Sequence, residues 1–228
     1  MRGLIYFYAR CIILSMSTIT DITKQKRNKT RVNIFIDCEF VCGLDEVAVA
    51  SARIKVGDEI TPDALKNLVK RSELNSAFER AVGYLSSSPR ARREIERYLR
   101  DKGYDREVVS ETLEKLDIYH YIDDRAYAEA FFRSKSKKYG SFRIATELRN
   151  KGIAQEIIDE LTEESDESEI DAVAKKYLAS HKASDKQKLK RFLAGRGFSW
   201  ESISAAVSRL TESGAFNGST ENDAEDYS

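Results

Sequence analysis

Beyond about residue 76, apolar side chains recur every three or four residues, as they do along amphipathic helices. One pattern occurs three times in this region: a leucine, two further residues, a lysine or arginine, a glycine and a large apolar residue. The copies are Leu99–Tyr104, Leu148–Ile153 and Leu193–Phe198, and their glycines are 49 and then 45 residues apart. A pattern repeated at this spacing predicts one helical unit in three tandem copies.

Each copy of the pattern predicts the end of a helix. A glycine allows the left-handed backbone that closes a helix, and the apolar residue after it folds back on that helix. A lysine or arginine before the glycine is favoured by the negative end of the helix dipole. The predicted stops are Gly103, Gly152 and Gly197.

The repeated unit extends to both sides of the stop. The apolar stripe continues four residues before each leucine, at Ile95, Ile144 and Leu189. The expected N-caps of these middle helices are Ser88, Ser141 and Ser184. Because another amphipathic helix precedes each middle helix and a third helix follows it, the unit has three helices and about 45–50 residues.

The region before the repeats has a different pattern. Residues 31–36 alternate in the manner of a β-strand, and residues 39–41 are placed to pair with them across a turn. Helical spacing covers residues 44–53, and Thr61 followed by Pro62 predicts a helix that runs to about Ser72. Residues 31–72 are therefore predicted to form a small α+β module.

The predicted fold class is mostly α, with three tandem three-helix repeats in an elongated array preceded by this module. The repeats are expected at residues 76–122, 123–163 and 168–211. Residues 1–30 are expected to be disordered or an extension, with Met16 as an alternative translation start to Met1, and residues 212–228 to be a disordered acidic tail. The apolar run near the N-terminus is interrupted by Arg10 and is too short to span a bilayer.

Composition favours a binding protein over an enzyme. The 228 residues carry 38 basic and 38 acidic side chains, three cysteines and two histidines. The cysteines are too few for a disulfide framework and indicate a reducing cytoplasm, and the absence of a second closely spaced ligand pair argues against a metal. No nucleophile-elbow, phosphate-loop, dinucleotide or zinc-protease motif is present. We therefore expect no catalytic residue, no metal and no cofactor.

Charge is segregated by helix within this neutral chain. The middle helices and their approaches are basic, whereas the third helices of the first two units are acidic. Charged helix faces are usually solvated and paired at i,i+4 spacing, but a threefold recurrence of bases on the same helix favours a binding surface for a long polyanionic or acidic partner. The candidate binding residues are Arg90, Arg92, Arg93, Arg97, Lys137, Lys138, Arg143, Arg149, Lys188 and Arg191.

Several segments of the chain resemble the bacterial RecX family of regulatory proteins. They are Arg90–Ile95, Lys102–Tyr104, Tyr121–Ala128, Phe131–Ser134, Lys138–Gly140 and Ile144–Gly152. The similarity covers roughly residues 31–210, with motifs that are specific in combination. The third repeat diverges most, since Ala194 and Gly195 replace the Arg-Asp and Arg-Asn of the other copies.

The resemblance implies a cytoplasmic, monomeric modulator of the recombinase RecA that is not an enzyme. Proteins of this family associate with the RecA filament on single-stranded DNA and restrain strand exchange and coprotease activity. The expected partner is therefore the RecA nucleoprotein filament, with direct contact to single-stranded DNA left open and no membrane. Two alternatives stay open: a sequence-independent nucleic-acid binder, and a structural adaptor that binds no nucleic acid.

Overall fold

The computed structural model describes residues 16–163, 167–181 and 185–216. These residues divide into two compact units. The first unit holds the described residues up to Pro89 together with Ile95–Ile122, and the second holds Arg90–Glu94 and the described residues from Asp123 onward. The described chain has ten helices and one four-stranded sheet, which confirms the predicted mostly helical class.

The sheet of the first unit is antiparallel with strand order β3-β2-β1-β4. Its strands are β1 (Ser17–Lys24), β2 (Arg31–Ile36), β3 (Glu39–Asp45) and β4 (Glu59–Ile60). Val32, Ile34 and Ile36 alternate into the core, as period-two patterning predicts. The predicted pairing of residues 31–36 with 39–41 is confirmed and continues to Asp45.

The expectation that residues 16–30 are disordered is wrong, because Ser17–Lys24 forms β1. This strand pairs with both β2 and β4, and Ile19 lies fully in the core. Its sequence STITDITK is polar enough to look unstructured. Its neighbours in the sheet provide the backbone hydrogen bonds and the buried contacts, so tertiary context outweighs composition.

Two helices complete this module, and the second is longer than expected. Asp45 caps α1 (Glu46–Ser51) by accepting a hydrogen bond from the Ala48 amide. Helix α2 (Pro62–Leu85) is one 24-residue helix, whereas the sequence predicted an end near Ser72. Ser72 does not end the helix but lies buried within it, where its hydroxyl accepts a 2.6 Å hydrogen bond from the Asp45 amide. No proline or glycine follows Pro62 before Gly83, so the backbone has no reason to break there.

The other helices form three-helix groups, each with its own apolar core. The C-terminal half of α2 packs with α3 (Arg92–Asp101) and α4 (Arg106–Ile118). The second group is α5 (Asp124–Lys135), α6 (Ser141–Lys151) and α7 (Gln155–Thr162), and the third is α8 (Glu167–Ser180), α9 (Lys186–Arg196) and α10 (Trp200–Glu212). Among the described residues, no helix combines the length and apolar character needed to cross a bilayer.

The predicted glycine stops are confirmed in all three middle helices. Gly103, Gly152 and Gly197 have φ values of 82°, 87° and 86°. In each case the amide of the following residue donates to the carbonyl of the repeated leucine five residues earlier, as in a Schellman motif. The apolar residue after each glycine is buried, so the stop also anchors the start of the third helix.

The predicted N-caps of the middle helices are wrong. Helix α3 begins at Arg92, beyond Ser88, and Gly140 is the N-cap of α6. Asp185 caps α9 by accepting a hydrogen bond from the Gln187 amide, and Ser184 lies outside the described residues. The position before α6 is too crowded for a larger residue, because a Cβ at Gly140 would lie 2.5 Å from the Phe198 Cα.

Candidate interaction surface

The start of α3 packs against the second repeat within the second unit. Ala91 is fully buried in the core of that repeat, together with Ile144 and Leu148. The Arg92 amide donates to the Asp124 carboxylate at 2.8 Å. The Glu94 carboxylate accepts from the Ala91 amide, as in a capping box, and also pairs with Lys151 Nζ at 2.9 Å. We call this set of contacts the first junction.

A second junction of the same design joins the start of α6 to the end of α9. The Gly140 amide donates to the Arg196 carbonyl at 3.1 Å, and Arg196 Nη1 donates to the Lys138 carbonyl at 3.4 Å. A Cβ added at Gly140 would lie 2.5 Å from the Phe198 Cα, so only glycine fits there. In both junctions the first residues of one middle helix therefore meet the glycine stop of the next repeat.

Two candidate binding residues are packing residues of these junctions. A Cβ at Gly152 would overlap the aliphatic stem of Arg93, and a Cβ at Gly197 would lie 2.8 Å from the Arg143 backbone nitrogen. Arg143 also lies over the Tyr139 ring at 4.1 Å and pairs with Glu147 at 3.4 Å. Both side chains have exposed parts, but their stems support the fold.

Glu94 gives the first junction a measurable pH dependence. Burial alone would raise the pKa of this carboxyl, but hydrogen bonds from Lys151 and from the Ala91 amide outweigh burial and hold the pKa below its ordinary value. Because the folded-state pKa is depressed, the stabilisation is complete above the unfolded pKa of about 4.3 and is lost as the pH falls through the folded value.

We expect Glu94→Gln to lower the free energy of unfolding by about 1 kcal/mol at neutral pH, because one charge-assisted contact is lost. The difference from the wild type should shrink as the pH falls through the depressed pKa of Glu94 and vanish once that carboxyl is protonated in the folded protein. Urea unfolding at several pH values measures it. Glu96→Gln is the control, since Glu96 makes only an exposed 3.8 Å pair with Arg100. Equal losses for the two variants would contradict a role for Glu94 in the junction.

Some of the remaining charge is neutralised by ion pairs between helices. Lys70 pairs with both Glu107 and Glu111 at 2.7 Å, and Arg125 pairs with Glu160 at 2.6 Å. The acidic helices α4 and α7 are therefore partly neutralised by bases of α2 and α5.

The ten candidate binding residues fall into four groups by their surroundings. Arg90 and Arg92 are half-buried at the start of α3. Arg93 and Arg143 belong to the junctions, and Arg149 is exposed with its Nε donating to Gln155 at 3.1 Å. The other candidates are exposed: Arg97, Lys137, Lys138, Lys188 and Arg191.

The middle helix of the third repeat differs from the other two in charge. Helix α3 has four bases and three acids, and α6 has three bases and one acid. Helix α9 has five bases and no acid. Within the described residues none of these five bases forms an ion pair. The positive charge of the middle helix is therefore neutralised least in the third repeat, which also diverges most in sequence.

Two aromatic side chains contact lysines of this basic helix, and one of them, Trp200, is a candidate binding residue that the sequence pattern does not predict. Trp200, the first residue of α10, is 64% exposed, and Lys190 Nζ lies 5.4 Å from its ring centroid. Phe216 lies 5.7 Å from Lys186 Nζ in the same way. The available signal was the position of Trp200 three residues after the stop, where the other repeats have Arg106 and Gln155.

The described cysteines and histidines form no cluster that could hold a metal ion. Burial raises the pKa of the Cys42 thiol to about 11, against the opposing charge of Arg31, whereas Cys38 is exposed. In the part of the chain that the structure describes, no group of three or more histidine, cysteine, aspartate or glutamate side chains is placed to hold a metal ion.

The repeated unit has three helices, a glycine stop after the middle helix and basic side chains that form no ion pair among the described residues. In both junctions the start of one middle helix packs on the stop of the next repeat. These features define a helical-repeat protein with a basic surface. Models of the RecX family match four successive segments: the N-terminal domain at residues 17–61 and the first, second and third three-helix domains at 77–116, 123–161 and 166–207. The chain belongs to the RecX family of regulatory proteins.

Similar proteins and solved structures agree with this assignment. Regulatory protein RecX of Clostridium beijerinckii is 31% identical over 205 residues, which are 86% of this chain and 96% of that protein. The Bacillus cytotoxicus protein of the same name is 33% identical and covers 86% of this chain and 78% of its own length. A crystal structure of regulatory protein RecX matches with a TM-score of 0.66 at 26% identity, over 85% of this chain and 99% of that one.

Proposed function

We propose that this protein binds the RecA–single-stranded DNA filament and restrains the recombinase and coprotease activities of RecA. Membership of a regulatory family supports the role, and the resemblance names the partner. The structural observation that carries the proposal is that each repeat keeps exposed bases on its middle helix: Arg97 on α3, Arg149 on α6, and Lys188 with Arg191 on α9. A filament is long and repetitive, so a partner with repeated basic helices suits it.

The test is a comparison of two ligands. Binding is measured to bare single-stranded DNA and to RecA-coated single-stranded DNA across a salt series, together with strand exchange by RecA. We expect tighter binding to the coated strand and inhibited strand exchange at matched protein concentration. Equal affinity for both ligands, with a steep salt dependence, would instead identify a general nucleic-acid binder.

A second function, sequence-independent binding of nucleic acid, is supported by α9 alone. Its five bases without a compensating acid form the kind of surface that attracts phosphates, whose contribution to affinity is independent of sequence. No binding to either ligand would exclude both functions and leave a structural adaptor.

A further inference from the structure

We propose that the third repeat contains a binding site for the unpaired nucleobases of a nucleic-acid strand. In this site Trp200 stacks on a nucleobase while the cations of α9 hold the adjoining phosphates. The ligand class is single-stranded nucleic acid in its bare form. This inference deepens the proposed function, because it assigns direct DNA contact to one repeat.

The exposed indole is the first observation. Tryptophan is the side chain with the most apolar surface to bury, yet 64% of Trp200 is exposed. Lys190 Nζ lies over the ring at 5.4 Å from the centroid, which accounts for one face of the indole. An exposed cation–π contact contributes only about 0.5–1 kcal/mol, which is too little to explain why so large a ring is left in water.

The charge of α9, the helix that carries Lys190, is the second observation. Lys190 belongs to α9, which has no acid along its eleven residues. Lys188 and Arg191 are three residues apart on that helix and both are exposed, so they share one side of it. Glu201, next to Trp200, is the one acid in the first turn of α10. An aromatic ring on a strongly basic surface is the combination that single-stranded nucleic acids require.

Other exposed aromatic residues do not have an exposed ring next to cations that lack an ion pair. Phe142 is 73% exposed at the start of α6, but its neighbour Arg143 pairs with Glu147 and supports the second junction. Tyr119 and Tyr121 are exposed in the first unit, but both contact Phe78 and follow an acid-rich helix. Among these residues Trp200 alone combines an available ring with unneutralised cations.

Stacking on the indole favours a single strand with unpaired nucleobases over a duplex. In a duplex the faces of the bases are already stacked on one another, so an aromatic side chain on a protein surface has no base face to contact. Stacking on a single base changes affinity by about 5- to 150-fold when the aromatic residue is removed. The phosphates contribute a separate term that depends on salt.

The test uses Trp200 as its own reporter, since the chain has no other tryptophan. The full-length protein is titrated with a thymidine homo-oligomer and with an abasic oligomer of the same length, while indole fluorescence is followed. We expect quenching by the thymidine oligomer and little change with the abasic strand. Identical quenching by both strands would overturn the proposal, because it would show that phosphate charge alone perturbs the indole.

Variants supply the second arm, read by anisotropy of a labelled oligomer. Trp200→Ala should weaken binding to the thymidine oligomer about tenfold or more without changing the salt dependence, and Trp200→Phe should retain most of the affinity. On the abasic strand, wild type and Trp200→Ala should bind equally. Phe142→Ala is the matched control and should behave as the wild type. A Trp200→Ala protein that keeps full affinity, or an equal loss in Phe142→Ala, would sink the proposal.

The arm with RecA separates this inference from the proposed function. If the wild type fails to restrain strand exchange yet shows base-dependent quenching, the proposed function fails and the stacking site stands. If Trp200→Ala loses the restraint of strand exchange but binds the thymidine oligomer as tightly as the wild type, the indole contacts protein and the stacking site is wrong.

Discussion

Replacing Gly197 with alanine is expected to lower the free energy of unfolding of the second unit by about 2–5 kcal/mol, from two separate causes. The backbone at Gly197 has a φ of 86°, where an L-residue costs about 1–2 kcal/mol. The new Cβ would also lie 2.8 Å from the Arg143 backbone nitrogen, and overpacking of this kind costs about 1–3 kcal/mol. Thermal unfolding followed by circular dichroism should show a midpoint lower by about 8–20 °C.

The chain offers controls that separate the two causes. Gly57 has a φ of 94° but open space around a Cβ, so Gly57→Ala tests backbone strain alone. Gly140 has a φ of −76° but would place a Cβ 2.5 Å from the Phe198 Cα, so Gly140→Ala tests crowding alone. Gly195 is helical and uncrowded, and Gly195→Ala should be neutral or slightly stabilising.

The order of these four variants decides whether the junction exists in solution. Gly197→Ala should be the most destabilised, and Gly140→Ala should be clearly destabilised although its φ suits any residue. If Gly140→Ala were as stable as Gly195→Ala, the close approach of Gly140 to Gly197 and Phe198 would be wrong. If Gly197→Ala lost only as much as Gly57→Ala, strain alone would account for the stop.

The glycine stops were predictable from sequence because their causes are local. A left-handed residue, a base at the helix end and an apolar residue that folds back all lie within six residues, and three copies of the pattern exclude chance. The same six residues could not show what Gly152 and Gly197 contact, because Arg93 and Arg143 lie 59 and 54 residues away in the chain.

The errors of the sequence prediction have the opposite cause. The sequence does not predict strand β1, because its hydrogen bonds come from β2 and β4. It predicts an end of α2 near Ser72, because it does not show that the Ser72 hydroxyl is buried against the Asp45 amide. The repeat pattern does not predict Trp200, because the other two copies have Arg106 and Gln155 at the same position. The repeated pattern therefore predicts the helices and their glycine stops, whereas a residue that differs between the copies, such as Trp200, has surroundings that the pattern does not predict.

Helix α9 is the best place to reverse charge, because its exposed bases lie outside the two junctions. Arg93 and Arg143 are poor choices, because reversing them would disturb the junctions as well as the surface. Lys188→Glu combined with Arg191→Glu changes two exposed bases that form no ion pair among the described residues. Lys188 lies in the first turn of α9, where a carboxylate is favoured by the helix dipole, so the variant should keep the thermal midpoint of the wild type.

We expect this double variant to need about tenfold more protein than the wild type for half-maximal inhibition of strand exchange by RecA, since about 1.4 kcal/mol of lost attraction corresponds to tenfold in affinity. If both bases contact phosphates, the dependence of log affinity on log salt should also fall by about two. The matched control is Lys175→Glu with Lys176→Glu, which makes the same change in net charge at two exposed residues of α8 in the same repeat.

The two readouts together identify what α9 faces. Lost inhibition with a reduced salt slope on bare DNA would place the phosphates of the strand against this helix. Lost inhibition with an unchanged slope would mean that Lys188 and Arg191 meet an acidic surface of RecA, because an exposed pair of that kind changes affinity without releasing counterions from DNA. An equal loss in the α8 control would attribute the effect to net charge and contradict a binding role for α9.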